Sequence, residues 1–282
     1  MKAQNLIKLV FVVLFANIIL LSCSKENELI TNPDQPTWTL RPDFALLDDR
    51  PQAIIAKFQV TEYDAKPVEL SKVKSSGKYA LVIGISDYEG TRNDLNYCDD
   101  DAIDWDIQLY DAGYTVKTLL NRNATKAEIE AEVNNLASLS VAGNEIVLCY
   151  SGHGSKGNII STDLYYISST WFKTKFTNSK STKMMFCFDA CQIGAMATNL
   201  NATGRIIAVA SNKTSYSYDG DATMQNGVFT YYQMVGFDNG YKYLEPDFKY
   251  ACDQMNMWAK TYRIRVAPSY LDSFPGDFQL FR

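Results

Sequence analysis

The chain has 282 residues, 46% of them hydrophobic and 21% charged, with a formal net charge of −5. That balance excludes global disorder and leaves room for one or two domains with real cores. It offers nucleic acid no basic footprint, so no nucleic-acid partner is expected.

Lys2 and Lys8 lead into an apolar run from Leu9 to Leu21 that only Asn17 interrupts. The run is shorter than the about 20 residues a membrane-spanning helix needs, and it suits the hydrophobic region of a signal peptide over residues 1–22. It closes on Leu20-Leu21-Ser22-Cys23, which resembles a bacterial lipobox. Cleavage before Cys23 and diacylation of its thiol would make the chain an exported lipoprotein of the cell envelope, tethered to the outer membrane and facing the periplasm or the surface. A plain signal peptide or an N-terminal anchor helix is the alternative. Residues 23–77 then read as a lipid-anchored linker and small extension. Asn32-Pro33-Asp34-Gln35-Pro36 is turn-rich, and Ala53 to Val60 is its one strand-like run. Six cysteines in an exported chain invite disulfides. Cys23 is reserved for lipid, however, and Cys149 and Cys187 sit inside apolar runs as small hydrophobes, so no disulfide network is expected.

From residue 78 to residue 282 the pattern becomes that of one α/β domain. Tyr79 to Ile85 is a continuous apolar strand. Cys98, Ala102, Trp105, Leu109 and Ala112 recur at helical spacing, and Gly113 supplies the stop. Tyr114 to Leu120 is a second strand. Thr125 and Glu128 form a capping box ahead of a helix that turns Ile129, Val133 and Leu136 to one side. Glu145 to Gly154 carries a third apolar strand into the turn Gly152-His153-Gly154, and Asn158 to Ile167 alternates like a surface hairpin. Lys183 to Asp189 is a fourth strand, entering the turn Ala190-Cys191; Arg205 to Ala210 is a fifth, after a short loop. Val228 to Phe237 and Pro246 to Tyr262 read as helices, the second with Phe248, Cys252, Met255, Trp258 and Tyr262 on one face. Strands without alternation are buried on both faces. Strands that alternate with helices give a mainly parallel sheet with helices on both sides, a three-layer α/β/α fold.

If the third and fourth strands are neighbours, His153 and Cys191 meet beyond their carboxyl ends, where open α/β sheets place their chemistry. A thiol attacks as thiolate, and an ordinary pKa near 8.5 leaves little of that form at neutral pH without a nearby base. His153 is the chain's only histidine. Gly154 leaves its amide unobstructed, so the N–H groups of Gly154 and Cys191 are candidates to hold a developing oxyanion. Lone cysteines and histidines are most often packing residues; occupying strand-end turns favours chemistry here.

The segments Ser151-Gly152-His153-Gly154 and Phe188-Asp189-Ala190-Cys191-Gln192-Ile193-Gly194, with the upstream strand Tyr79 to Ile85, resemble the caspase-like cysteine peptidases, closest in style to bacterial and plant metacaspase relatives. The histidine-to-cysteine spacing is shorter than the about 50 residues of the caspase signature, and Asp189 stands where animal caspases have another residue. Leu95-Asn96-Tyr97-Cys98 to Asp101-Ala102 resembles the family's segment ending in Asn-Asp-Ala, with Asp100 in place of the asparagine. Ala210-Ser211 and Asn226-Gly227-Val228-Phe229-Thr230 resemble its small-subunit segments. The resemblance runs from Lys78 to the C-terminus and implies a caspase-like peptidase domain over 78–282.

It implies a Cys191–His153 dyad, with Gly154 at the oxyanion. By position, Asp101 and Asp189 would form an acidic pocket for arginine or lysine. Helical geometry supports Asp101 independently, since it points to the edge of the apolar stripe whereas Asp100 and Asp104 point away. Asp99 and Asp100 read as carboxylates favouring a helix N-terminus. The expectation is therefore a thiol endopeptidase acting on peptides with a basic residue before the cut. The alternative is a caspase-shaped protein that binds basic peptides without cutting them. No cofactor is expected; calcium, which some metacaspase-like enzymes require, is a minor possibility, because carboxylates along a helix are not a converging set of ligands. The short Gln192 to Gly204 connection leads us to expect one uncut catalytic chain, any processing falling in the basic stretch Lys72 to Lys78.

Overall fold

The computed structural model describes residues 77–89 and 93–281. The expectations for the signal peptide, Cys23, the 23–77 extension and the Lys72 to Lys78 stretch fall almost wholly outside the described residues. In chain order the elements are β1 (Lys78–Gly84), α1 (Cys98–Asp111), β2 (Thr115–Leu120), α2 (Lys126–Ser138), β3 (Glu145–Ser151), β4 (Gly154–Ser155), β5 (Asn158–Ile160), β6 (Tyr166–Ser168), α3 (Ser169–Phe176), β7 (Lys183–Asp189), α4 (Gly194–Leu200), β8 (Arg205–Val209), α5 (Val228–Asp238), α6 (Leu244–Tyr262) and β9 (Ser269–Asp272). Among the described residues no helix is long and apolar enough to cross a membrane.

Six strands form one sheet in the order β2-β1-β3-β7-β8-β9, parallel throughout except for β9, which runs antiparallel along β8. The central strands carry no alternation because both their faces are covered. On one face Leu81, Ile83, Leu148 and Phe186 pack against Ile129 and Val133 of α2, Phe172 and Phe176 of α3 and Met196 of α4. On the other, Val82, Val147, Met185 and Ile206 pack against Trp105 of α1, Phe229 and Phe237 of α5 and Phe248 and Met255 of α6. The result is three layers, as the strand–helix alternation predicts.

Local signals hold at the ends of elements. Thr125 Oγ accepts the Glu128 N–H at 3.3 Å and caps α2. After α1, Tyr114 N–H reaches back to the Leu109 carbonyl at 2.9 Å across Gly113, whose φ of 91° suits the stop predicted for it.

Three expectations change. The hairpin beyond His153 is a small three-stranded sheet, β4-β5-β6, and its Ile159, Ile160 and Ile167 are buried beside Tyr150. The connection from Cys191 to β8 contains α4, whose Met196 and Leu200 enter the core. Finally, β9 closes the sheet with exposed, weakly apolar residues, a pattern too faint to read as a strand. Cys149 and Cys187 stand directly opposite each other across β3 and β7. With Cys98, Cys191 and Cys252 they are free thiols.

Candidate active site

Loops at the carboxyl ends of β1, β3, β7 and β8 converge on one edge of the sheet and wall a cleft. His153 and Cys191 both line it, together with Cys98, Ser151, Asp189, Ser217, Asp219 and Gly227. The parallel register is the reason, because Ser151 pairs with Asp189 and each strand then runs a further step into its turn. Gly152 N–H donates to the Asp189 carbonyl at 3.2 Å and ties the two turns together. A Cβ on Gly154 would lie 2.4 Å from the Cys191 carbonyl oxygen and 3.3 Å from its nitrogen, so only glycine permits this approach.

The histidine ring is anchored through Nε2. Its Nε2 lies 2.7 Å from the Asn93 carbonyl oxygen, in the loop after β1. A carbonyl only accepts, so Nε2 carries the proton of the neutral ring and Nδ1 is left as the basic nitrogen. The Cys191 thiol donates to the Ser217 carbonyl at 3.5 Å. Behind it Gln192 takes a left-handed conformation, φ 51°, fixed by Gly157 N–H on its carbonyl at 2.8 Å and by its own N–H on the Ser215 carbonyl at 2.9 Å.

Both predicted acids are next to this pair, in different roles. Asp189 lines the cleft; one carboxylate oxygen accepts from the Ser217 hydroxyl, the other from Thr230 N–H and Oγ1, each at 3.1 Å. Asp101 is fully buried and lies behind the wall, accepting from Ser151 Oγ at 2.6 Å, Asn226 Nδ2 at 3.0 Å and Gly227 N–H at 2.9 Å. Gly227 sits between them, since a Cβ there would be 2.6 Å from Asp189 Oδ2 and 2.8 Å from Asp101 Oδ2. Burial, then the neighbouring Asp189 charge, pushes the Asp101 carboxyl well above the usual range against the pull of its hydrogen bonds. Burial pushes Asp189 up to about 6, against the hydrogen bonds from Ser217 and Thr230. Two buried carboxylates this close resist joint ionisation.

The sequence reading missed Asp219, which lines the cleft and accepts Asn96 N–H at 2.9 Å and the Cys98 thiol at 3.7 Å. Its signal was position alone: it follows the fifth strand, on the sheet edge where such loops carry chemistry. Asp99 and Asp100 stand in the first turn of α1 as read, but both are buried, so the expectation that Asp100 points away from the packed face is corrected. Asp99 accepts from Ser86 Oγ at 2.6 Å and Asn121 Nδ2 at 2.9 Å, which moors α1 to the ends of β1 and β2. Among the described residues no group of three or more His, Cys, Asp or Glu side chains is placed to hold a metal ion.

The family model of the caspase domain matches residues 77–251. No curated protein matches the chain. Among solved structures, caspase-1 from Spodoptera frugiperda is 12% identical, covers 79% of this chain and 98% of its own, and superposes with a TM-score of 0.57. A protein from Geobacter sulfurreducens is 16% identical over 72% of this chain and 96% of its own, with a TM-score of 0.55. At these identities the likeness is one of fold.

Proposed function

Because this chain belongs to the caspase domain family, whose members are cysteine peptidases, we propose that it is a thiol endopeptidase cutting after arginine or lysine. The observation that carries the reading is the opening of His153 and Cys191 into one cleft that Asp189 and Asp219 also line.

In this reading Nδ1 of His153 takes the Cys191 proton and the thiolate attacks the scissile carbonyl. The amides of Gly154 and Cys191 hold the oxyanion, His153 protonates the departing amine, and water then releases the acyl group with His153 as base. Ser217 joins the two halves of the site: its carbonyl accepts from the Cys191 thiol and its hydroxyl donates to the Asp189 carboxylate. A guanidinium or ammonium entering beside Asp189 and Asp219 gains charge-assisted hydrogen bonds, with Asp101 adding its field from behind Gly227.

The test is hydrolysis of arginyl, lysyl and aspartyl reporter peptides by wild type, Cys191→Ala and His153→Ala. Both variants should lose arginyl and lysyl cleavage, and wild type should spare the aspartyl peptide. A Cys191→Ala chain that still cuts would end the proposal, and an inert wild type that retains arginyl peptides would select the binding protein instead. Residues 20–23 support a lipid tether at Cys23 on the cell envelope. Cys23→Ala should move the protein from membrane to soluble fractions; unchanged partition would remove the tether.

A further inference from the structure

Gly152, the first glycine beside His153, has a reason separate from Gly154. A Cβ there would fall 2.6 Å from two phenolic oxygens, those of Tyr88 and Tyr150. Both tyrosines are buried, and both turn their hydroxyls onto the backbone of His153. The His153 N–H donates to the Tyr88 oxygen at 2.8 Å, while the Tyr150 hydroxyl donates to the His153 carbonyl at 2.7 Å. The two phenolic oxygens are 3.4 Å apart.

Each phenol has one proton, which fixes a consistent assignment. The Tyr150 proton faces two carbonyls, that of His153 at 2.7 Å and that of Ile160 at 3.0 Å, of which His153 is the shorter contact, and its oxygen also receives the Ile160 N–H at 3.3 Å; a carbonyl only accepts, so Tyr88 donates to Tyr150. The chain of donors then leaves His153 at its N–H and returns to the same residue at its carbonyl. Burial pushes both phenols well above their ordinary pKa, so the protons stay in place across the working range. The Tyr88 ring also lies against the imidazole, centroids 4.7 Å apart and planes at 49°. Its backbone N–H is anchored by the Asp94 carboxylate at 3.0 Å, in the same loop that brings the Asn93 carbonyl to Nε2.

We propose that Tyr88 and Tyr150 are positioning residues that clasp the His153 peptide at both ends in a closed ring of three hydrogen bonds, fixing where the imidazole points. The inference rests on the reading of His153 as the catalytic base. Neither phenol touches the thiol or the substrate; each acts through His153. The ring defines the imidazole's place because the peptide before and after it cannot rotate without breaking one of the three links. A shift of about 1 Å in a catalytic group is enough to cost on the order of a hundredfold in rate.

The experiment compares wild type, Tyr88→Phe, Tyr150→Phe and the double variant, with His153→Ala as reference and Cys191→Ala as blank. Two quantities are read: kcat and KM on an arginyl reporter, and the pH profile of Cys191 alkylation by iodoacetamide. Each single variant should lower kcat by about ten- to a hundredfold with KM within about twofold. Each should also move the alkylation profile toward that of an ordinary thiol near pH 8.5. The double variant should be no worse than the more severe single one, because one opened link already breaks the ring. A packing role alone would lower the melting temperature and leave the profile's shape intact, which overturns the proposal. So would single effects that multiply in the double variant. If Tyr88→Phe does not fold, the Tyr150→Phe profile decides, since it opens the same ring and keeps the Tyr88 ring on the imidazole. A wild-type profile identical to that of His153→Ala sinks the catalytic reading itself. A distinct wild-type profile matched by Tyr88→Phe sinks only the clasp.

Discussion

Asp101 and Asp189 face Gly227 from two distant segments, and their shifted carboxyls set how the cleft should respond to pH. Burial raises both above the unfolded value of about 3.9, so the fold favours their protonated forms. Stability from this source is present at low pH and is lost as pH rises through about 6, the reverse of an ordinary salt-bridged aspartate. Binding of a cationic side chain runs the other way, because it needs the ionised form. KM for an arginyl peptide should therefore fall as pH rises from about 5 to about 7, and the limb should vanish in Asp189→Asn; a flat wild-type KM would refute the assignment. Gly227→Ala is a steric test of the same pocket. Its φ of −56° admits alanine, but the new methyl would meet both carboxylates. Arginyl KM should rise about tenfold or more, with Cys191 alkylation unchanged, the cost of about one charge-assisted hydrogen bond.

Among the elements, one buried cation holds two helix ends in place and one buried carboxyl destabilises its own. Arg205, at the start of β8, donates to the Leu200 carbonyl at 2.7 Å and the Phe176 carbonyl at 2.6 Å, the last residues of α4 and α3. Its cation sits where helix C-termini are negative and stacks 5.8 Å from the centre of Phe186. Arg205→Met should cost about 2–3 kcal/mol by urea unfolding, because two buried carbonyls lose their donors. An unchanged midpoint would mean that water replaces the guanidinium. Asp247, in the first turn of α6, is fully buried and neither carboxylate oxygen has a hydrogen-bond partner. Burial holds its carboxyl well above the usual range. Its folded pKa is raised, so wild type loses stability from about pH 4 upward until that pKa is passed. Asp247→Asn should gain on wild type as pH rises from about 4 to about 8, read as melting temperature; a gain that shrinks over that range would contradict the assignment.

For the whole molecule, the sheet order decides everything about the cleft. Placing β7 beside β3 juxtaposes two turns that are far apart in sequence, and placing β8 beyond β7 delivers Ser217 and Asp219 to the same edge. The tail beyond residue 251 lies outside the matched family segment yet completes this sheet. There β9 pairs with β8, and Phe278 and Leu280 are buried. Removing residues 265–282 should leave an insoluble or unfolded chain, since it exposes a strand edge and two core side chains worth about 1.5–3 kcal/mol each. Circular dichroism of a soluble truncated chain with wild-type helix content would show the tail to be dispensable. The apolar runs at Tyr79–Ile85, Glu145–Ser151 and Lys183–Asp189 were legible as buried strands because burial on both faces confines their charged and polar residues to the strand ends. The helical stripes of α1 and α6 were legible because their apolar residues pack on one face of the sheet. That His153, Cys191 and Asp189 share one edge of the sheet was legible because each lies at the end of an adjacent buried strand. The helix α4 and strand β9 were not, being short elements whose order comes from what they pack against. Nor were Asp219, the Tyr88–Tyr150 clasp or the inward turn of Asp99 and Asp100. Local sequence determined the longer elements and the turns that carry His153 and Cys191; only tertiary structure decided which loops share the cleft, because hydrogen-bond partners such as Gly227 and Asp101 meet through strand order, which no local pattern encodes.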